Sequence, residues 1–478
     1  MRMRARRRVP SLVAVAVVAA IVLTLVLALP GPRVPGPRYA GLTGEAAGEL
    51  VGVWQDRLRE DALVRERLGG LSTVVPGDDP VLAGCADPDR QVPAPAGADQ
   101  VDTVVAQVEA LRGLESTEPV TIRLLDDTEM TAEVAGFLAR RWDDERVALD
   151  HRVLTALGAV GPGTDLAKLR VDAYADQVSG FFRGSDGIAV RTGDAPALTP
   201  LERVVLAHEV EHALTFQNLG RPASRTADAA RAVSAVLEGS AVLAMRMYAW
   251  TVLSGAERAR LRADLLVRAR ADPLAEFGPY LRAELRFPYR DGLRYVCQRW
   301  LEGGWEAVDA AFSDPPLSTA GVLFPDRHDD VPRRPAALGD PGERWVRARA
   351  GDFGAAELMW LLAAPGGDES AAVGDPRQRA GAWDGGELVV WTRGDRTAVG
   401  LALVDRGTGP LVDRGTGPSL CDSVRAWYAA AYPDATRTGD GRRTSYRDGA
   451  QQAVLSCDGD QVRLGIAPTG TGASAIAR

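Results

Sequence analysis

The sequence predicts an α+β protein: a mainly helical domain with a small sheet, followed by a smaller α+β region. Two observations support this. Helical segments follow one another over most of the first two thirds of the chain, whereas strand-like runs around short turns appear in the last third. The length of 478 residues and the 46% hydrophobic content allow two or three domains with an ample core.

We divide the chain into an N-terminal hydrophobic segment, a Pro/Gly spacer, a main domain and a C-terminal region, at residues 1–29, 30–42, 43–345 and 346–478. Helices are predicted at 43–68, 101–114, 129–142, 144–157, 199–220, 226–250, 256–270, 291–302, 304–312 and 419–432. Strands are predicted at 119–124 and 187–192, and as two hairpins at 387–392 with 397–404 and 451–457 with 461–466. Loops are predicted at 74–100 and 364–380.

The helix predicted at 199–220 has clear boundary signals. Thr199 and Glu202 form the S/T-x-x-E pattern of a capping box, and Pro200 suits the first helical position. Gly220 is typical of a helix C-terminus. The segment LAHEVEHALTFQ therefore lies in the middle of this helix.

This segment contains the pattern H-E-x-x-H at His208, Glu209 and His212, which uses two of the four histidines in the chain. Residues i and i+4 share one helix face, so both imidazoles can reach one Zn²⁺ ion, with Glu209 beside it as general base. Helical angles place Glu211 as far from the histidine face as Glu209. The chemistry of the motif selects Glu209, and we interpret Glu211 as structural.

A third zinc ligand is expected from the following helix. Glu238 is the only glutamate of the segment 226–250 and lies in an apolar stretch, where a carboxylate needs a charged partner or a metal. Small residues follow it and would allow a second helix to approach closely. Asp228 is the competing ligand, or a partner that holds a histidine N–H. A salt bridge from Glu238 to Arg231 or Arg246 is the alternative without metal.

Two further residues are candidates for stabilising an oxyanion, namely Tyr289 in the segment Phe287-Pro288-Tyr289, and His328. The strand at 187–192 is expected to be the edge strand above the metal, where an extended substrate would pair by β-addition.

The N-terminus predicts a membrane anchor. Five arginines within residues 1–8 precede 21 uncharged residues, 9–29, which suffice to span a bilayer with the basic end in the cytoplasm. A cleaved signal peptide, giving a secreted protein, is the alternative. Either way the body of the protein lies outside the cytoplasm, where four cysteines favour disulfides. Cys421–Cys457 is the first expected pair, and Cys85–Cys297 would follow. The net charge of −8 argues against a nucleic-acid partner.

The stretch from about 101 to 435 resembles a family of largely uncharacterised bacterial and archaeal membrane-associated zinc metallopeptidases of the gluzincin type. The most specific motifs are Ala207-His208-Glu209 with His212-Ala213-Leu214, and Glu238-Gly239-Ser240-Ala241. The supporting landmarks are Leu111-Arg112-Gly113-Leu114, Ala156-Leu157-Gly158, Gln177-Val178-Ser179-Gly180-Phe181-Phe182, Gln217, Phe287-Pro288-Tyr289 with Gly292, Gly303-Gly304-Trp305, Pro315-Pro316 with Ser318-Thr319, Phe324-Pro325 and Gly381-Ala382-Trp383-Asp384-Gly385.

The resemblance implies that His208, His212 and Glu238 bind zinc and that Glu209 is catalytic. The chain departs from the family at Thr215-Phe216, where Gln-Asp is usual, and at Phe324, where histidine is frequent.

The expected protein is a zincin-like, membrane-anchored extracytoplasmic endopeptidase that acts on a protein or peptide through an activated water. The alternative is a catalytically silent protein of zincin fold that serves as a surface binding or scaffolding protein through its C-terminal region.

Overall fold

The computed structural model describes residues 97–139, 143–177, 179–271, 276–407 and 419–478, together with Cys85 and Val92. The predicted anchor at 9–29, the spacer at 30–42 and the helix at 43–68 lie outside these residues. The described part is an α+β structure with two sheets, as predicted.

The first part contains helices and a three-stranded sheet. In chain order these are α1 Gln100–Arg112, β1 Ile122–Leu125, α2 Asp127–Ala139, α3 Asp144–Ala156, α4 Leu166–Gln177, β2 Gly180–Phe182 and β3 Ile188–Arg191. The strand order is β1-β3-β2, with β3 parallel to β1 and antiparallel to β2. The predicted strand at 187–192 is therefore present as β3, but its predicted edge position is wrong.

β2 is an edge strand and lies beside the helix that follows β3 in the chain. It forms a hairpin with β3 through a 3₁₀ turn at Gly184–Asp186. Gly180 pairs with Val190 and Phe182 with Ile188. A strand of three residues is too short to give a period-two pattern, which is why the sequence did not reveal it.

Five helices follow: α5 Pro200–Asn218, α6 Ala227–Thr251, α7 Gly255–Ala271, α8 Pro279–Ser313 and the short α9 Thr319–Leu323. The capping box of α5 is confirmed, because the Thr199 hydroxyl accepts from the Glu202 N–H and the Glu202 carboxylate accepts from the Thr199 N–H. α8 breaks at Gly303–Gly304, where Gly304 has a φ of +64°. The predicted helical pair is thus present, although its first member begins at Pro279 and not at 291.

Helices α6 and α8 make the most extensive helix–helix contact of the described fold. A Cβ atom on Gly239 would lie 2.4 Å from the Gly292 carbonyl oxygen, and one on Gly292 would lie 2.2 Å from the Ala235 carbonyl oxygen. Only glycine permits this approach of two backbones at both positions. The expectation that small residues after Glu238 admit a second helix is confirmed, and that helix is α8.

The last part contains a seven-stranded antiparallel sheet and four helices. The elements are β4 Val346–Asp352, α10 Ala355–Ala363, α11 Pro376–Ala380, β5 Trp383–Arg393, β6 Arg396–Asp405, α12 Leu420–Ala431, β7 Thr436–Gly439, β8 Arg443–Asp448, β9 Gln451–Asp458, β10 Gln461–Ala467 and α13 Gly470–Ile476. The strand order is β4-β5-β6-β10-β9-β8-β7. Both predicted hairpins and the helix at 419–432 are confirmed, whereas β4, β7 and β8 were not predicted.

The two parts share one hydrophobic core. Trp360 of α10 packs edge-to-face against Tyr280 and Phe287 of α8, with ring centroids 5.5 and 5.7 Å apart. The same core extends into the large sheet through Leu455 and Leu464. The C-terminal region therefore packs on α8, the helix that contacts α6 and its Glu238 segment.

Both expected disulfides are present. Cys421 and Cys457 are bonded with a Cα–Cα separation of 6.1 Å, and Cys85 and Cys297 with 5.8 Å. The first bond joins α12 to β9, and the second joins α8 to the chain that precedes α1.

Among the described residues one helix, α6, is long and apolar enough to cross a membrane by length and composition. However, 94% of its most apolar window is buried inside the protein, as in the core helix of a globular fold.

Candidate metal centre

Three side chains from α5 and α6 converge on one point. His208 Nε2 lies 3.0 Å from His212 Nε2, and Glu238 Oε2 lies 3.3 and 3.4 Å from these two atoms. Three ligand atoms of a tetrahedral zinc site with usual bond lengths are roughly 3.3 Å apart. The triad therefore has the donor types and the spacing that a zinc ion requires.

The charges within the triad also favour a cation. Burial opposes protonation of His212, but the nearby Glu238 carboxylate outweighs it and raises the His212 pKa to about 9. Burial lowers the pKa of His208 to about 4, despite Glu238. Burial works against an ionised Glu238, but His212 and His208 lower the Glu238 pKa to about 2. The ionised Glu238 carboxylate thus favours a positive charge at this point, and a divalent ion would compete with a proton for His212.

Glu209 lies beside the triad and is 1% exposed. Its Oε1 atom has no hydrogen-bond partner among the described residues, while the Phe182 backbone N–H donates to its carboxylate. Burial raises the pKa of Glu209 to about 8, against the attraction of His212. A buried carboxylate oxygen that no hydrogen bond occupies is available to a reacting molecule beside the triad.

The edge strand β2 lies against this carboxylate. A Cβ atom on Gly180 would approach Val205 Cγ1 to 2.9 Å and Glu209 Oε1 to 3.2 Å. Glycine at this position therefore lets β2 pack directly on the face of α5 that carries Glu209.

Glu211 has a different environment. Its Oε2 accepts from Arg112 Nε at 2.7 Å and its Oε1 accepts from Ser240 Oγ at 2.5 Å. Arg112 also bonds Asp309 at 2.6 Å and stacks over Trp305 at 4.1 Å. Arg112 and Glu211 have side chains with 0% exposure. Glu211 thus joins α5 to α1 through Arg112 and to α6 through Ser240, which lies two residues beyond Glu238. This agrees with the structural role that we predicted.

Asp228 does not contact the histidines. Its carboxylate accepts from the Thr319 hydroxyl at 2.6 Å and from the Thr319 N–H at 3.1 Å. Both predicted roles for Asp228, competing ligand and partner of a histidine, are therefore wrong, because it begins α6 and fixes α9 to it. The alternative pairing of Glu238 with Arg231 is also excluded, since Arg231 bonds Glu357 at 3.2 Å.

The two oxyanion candidates lie in different surroundings. Tyr289 is 1% exposed and belongs to the hydrophobic core. His328 belongs to a second cluster, where its Nδ1 is 2.9 Å from the Tyr295 hydroxyl and its Nε2 is 3.7 Å from Asp329 and 3.8 Å from Asp314. The partners of His328 thus lie outside the triad, and the role of both residues in catalysis stays a prediction.

Sequence reasoning missed Gly180, Phe182, Arg112 and Ser240 as parts of the site. Each of them occurs in a short motif that the family resemblance had marked, but without an assigned role. No family model, curated protein or solved structure matches this chain.

Proposed function

We propose that this protein is a zinc-dependent peptidase of zincin-like fold. The observation that carries the proposal is the spacing of 3.0–3.4 Å among the donor atoms of His208, His212 and Glu238. The donors come from consecutive helices, and the buried Glu209 lies beside them with a free oxygen. The resemblance to gluzincin-type metallopeptidases agrees with the same residues.

The roles follow from the environment of each side chain. His208, His212 and Glu238 would hold Zn²⁺, which when bound supplies a Lewis acid that polarises a carbonyl and makes water easier to deprotonate. Glu209 would accept the proton of the attacking water and donate it to the leaving amine. Its carboxylate is held in place by the Phe182 N–H. Glu211 would take no part in proton transfer because both of its oxygens are already hydrogen-bonded.

Substrate binding along β2 completes the proposal. β2 is the edge of the three-stranded sheet and lies against α5 at Glu209. An extended peptide that added to this edge would pass the proton acceptor and the metal site together. The substrate would then be an unfolded protein segment or a peptide.

We further propose that the protein acts outside the cytoplasm, anchored by residues 9–29. Two disulfides within the described chain support an oxidising compartment. The uncharged stretch of 21 residues after an arginine-rich start supports the anchor, with secretion after cleavage as the alternative.

The test is zinc content and turnover of the full-length chain purified in detergent. We expect about one zinc per chain and hydrolysis of an unfolded protein substrate such as reduced, alkylated casein, abolished by a chelator and restored by zinc. The Glu209→Gln variant is the matched control, because it keeps the metal ligands. Stoichiometric zinc without hydrolysis under several conditions would favour a catalytically silent binding protein or a very narrow specificity, and failure to bind zinc would refute the peptidase proposal.

A further inference from the structure

A pair of phenylalanines lies at one end of the candidate site. Phe216 of α5 is 45% exposed, which is high for an aromatic side chain, and its ring meets that of Phe182 of β2 edge-to-face with centroids 5.4 Å apart. Phe182 itself is partly buried, so the pair offers apolar surface that a ligand beside the candidate site could bury further.

Phe216 lies on the same face of α5 as His212 and Glu209. At 100° per residue, Phe216 lies about 40° from His212 and about 20° from Glu209 around the helix. It is one turn, roughly 6 Å, beyond His212 along the axis. That distance corresponds to about two residues of an extended peptide.

β2 and the turn after it follow α5 from Glu209 to Phe216. Gly180 packs on Glu209, the Phe182 N–H reaches the Glu209 carboxylate, and the position of a Cβ on Gly184 lies 3.7 Å from Phe216 Cζ. A peptide paired with the edge of β2 at the proton acceptor would therefore continue toward the two phenyl rings.

We propose that Phe182 and Phe216 form a specificity site for a large apolar side chain of the substrate, preferably aromatic, within two residues of the cleaved bond. This inference rests on the proposed peptidase function. The chemistry is that of burial and edge-to-face aromatic contact, because neither ring offers a hydrogen bond or a charge. A substrate with alanine at that position would lose most of the contact.

Cleavage-site mapping tests the preference. The zinc-loaded full-length protein is incubated with a diverse peptide pool, and the cut sites are identified by mass spectrometry. We expect enrichment of Phe, Tyr, Trp or Leu at one fixed position relative to the cut. For matched peptides with Phe or Ala at that position, kcat/KM should differ by about 10- to 100-fold.

The decisive variant is Phe216→Ala, whose side chain is nearly half exposed, so folding should depend on it only slightly. It should reduce the Phe/Ala ratio at least several-fold, while Phe216→Leu retains part of the preference. Leu124→Ala is the matched control, since Leu124 is 42% exposed on β1 at the opposite edge of the same sheet and should leave the ratio unchanged.

Binding gives a second readout that does not depend on turnover. In the zinc-loaded Glu209→Gln background, a fluorescent Phe-containing peptide should bind more tightly than its Ala counterpart, and Phe216→Ala should remove the difference. Cleavage without an apolar preference, or with one that Phe216→Ala leaves intact, overturns the specificity site while the peptidase function stands. If the wild type cuts no peptide in the pool, the peptidase function fails, and the specificity site fails with it.

Discussion

Replacing Arg112 with methionine should destabilise the fold far more than the loss of a surface ion pair. Arg112 and Glu211 are both fully buried, and their atoms Nε and Oε2 are 2.7 Å apart. Methionine fills much of the same volume but leaves the Glu211 carboxylate with Ser240 as its remaining hydrogen-bond donor. Breaking one partner out of a buried pair costs about 3–5 kcal/mol, a large share of the roughly 5–15 kcal/mol that stabilises a typical fold.

Two variants separate this cause from general loss of packing. Arg112→Met combined with Glu211→Gln removes both charges, so the double variant should be more stable than Arg112→Met alone. Arg123→Met breaks an ion pair with Glu133 of similar length, 2.6 Å, but both side chains are partly exposed, at 38% and 26%. This control should lose less than about 1 kcal/mol.

The assay is urea denaturation of the metal-free protein, followed by circular dichroism, together with zinc titration of each variant. We expect Arg112→Met also to weaken zinc binding, because Glu211 connects α5 to Ser240, two residues beyond the proposed ligand Glu238. Equal losses of unfolding free energy in Arg112→Met and Arg123→Met would show that the buried pair does not hold α5 in place.

Three other predictions concern proton transfer, pH and the disulfides. Glu209→Gln should keep zinc and reduce peptidase turnover at least about a hundredfold. Glu211→Gln should retain most of the turnover per zinc-loaded molecule, and equal losses in the two variants would contradict the assignment of Glu209 as the base. Burial raises the pKa of Asp228 from 3.8 to about 7. The folded protein therefore favours the protonated carboxyl group, and the stability that this group contributes should fall as the pH rises from about 4 to 7. Asp228→Asn should flatten that slope in urea midpoints between pH 4 and 7, and an unchanged slope would assign the titration to another group. Replacing Cys421 and Cys457 with alanine removes a disulfide between residues 36 positions apart and should lower the free energy of unfolding by about 3–4 kcal/mol. Thermal melts check this, and an unshifted melting temperature would argue against the disulfide.

Local signals explain which parts of the fold the sequence could predict. α5 and α6 begin at Thr199 and Thr226, whose hydroxyls cap the first turn, and such caps are visible in the sequence. The hairpin of β5 and β6 was predicted because the connecting turn separates two long apolar strands. In contrast, β7 consists of exposed residues and β2 has three residues, so neither carries a periodic pattern.

The three residues of the candidate metal site were predictable for a related reason. His208 and His212 lie on one helical turn, so their spacing is local information. Glu238 lies on another helix, and its selection depended on the cost of an isolated carboxylate in an apolar segment. The rejected candidate, Asp228, satisfies the same criterion, since it is buried with a polar partner. Only the packing of α9 against the start of α6 distinguishes the two carboxylates.

The choice between Glu209 and Glu211 shows what helical periodicity leaves undetermined. The two residues lie at equal angles on opposite sides of the histidine face, so helical periodicity alone does not distinguish them. Tertiary contacts remove the symmetry. On one side β2 supplies a single backbone donor and leaves Glu209 Oε1 without a partner. On the other side Arg112 and Ser240 occupy both oxygens of Glu211. The oxygen of Glu209 that lacks a partner is the one available to a reacting molecule, so we propose that the same helix provides one glutamate for chemistry and one that holds the helices together.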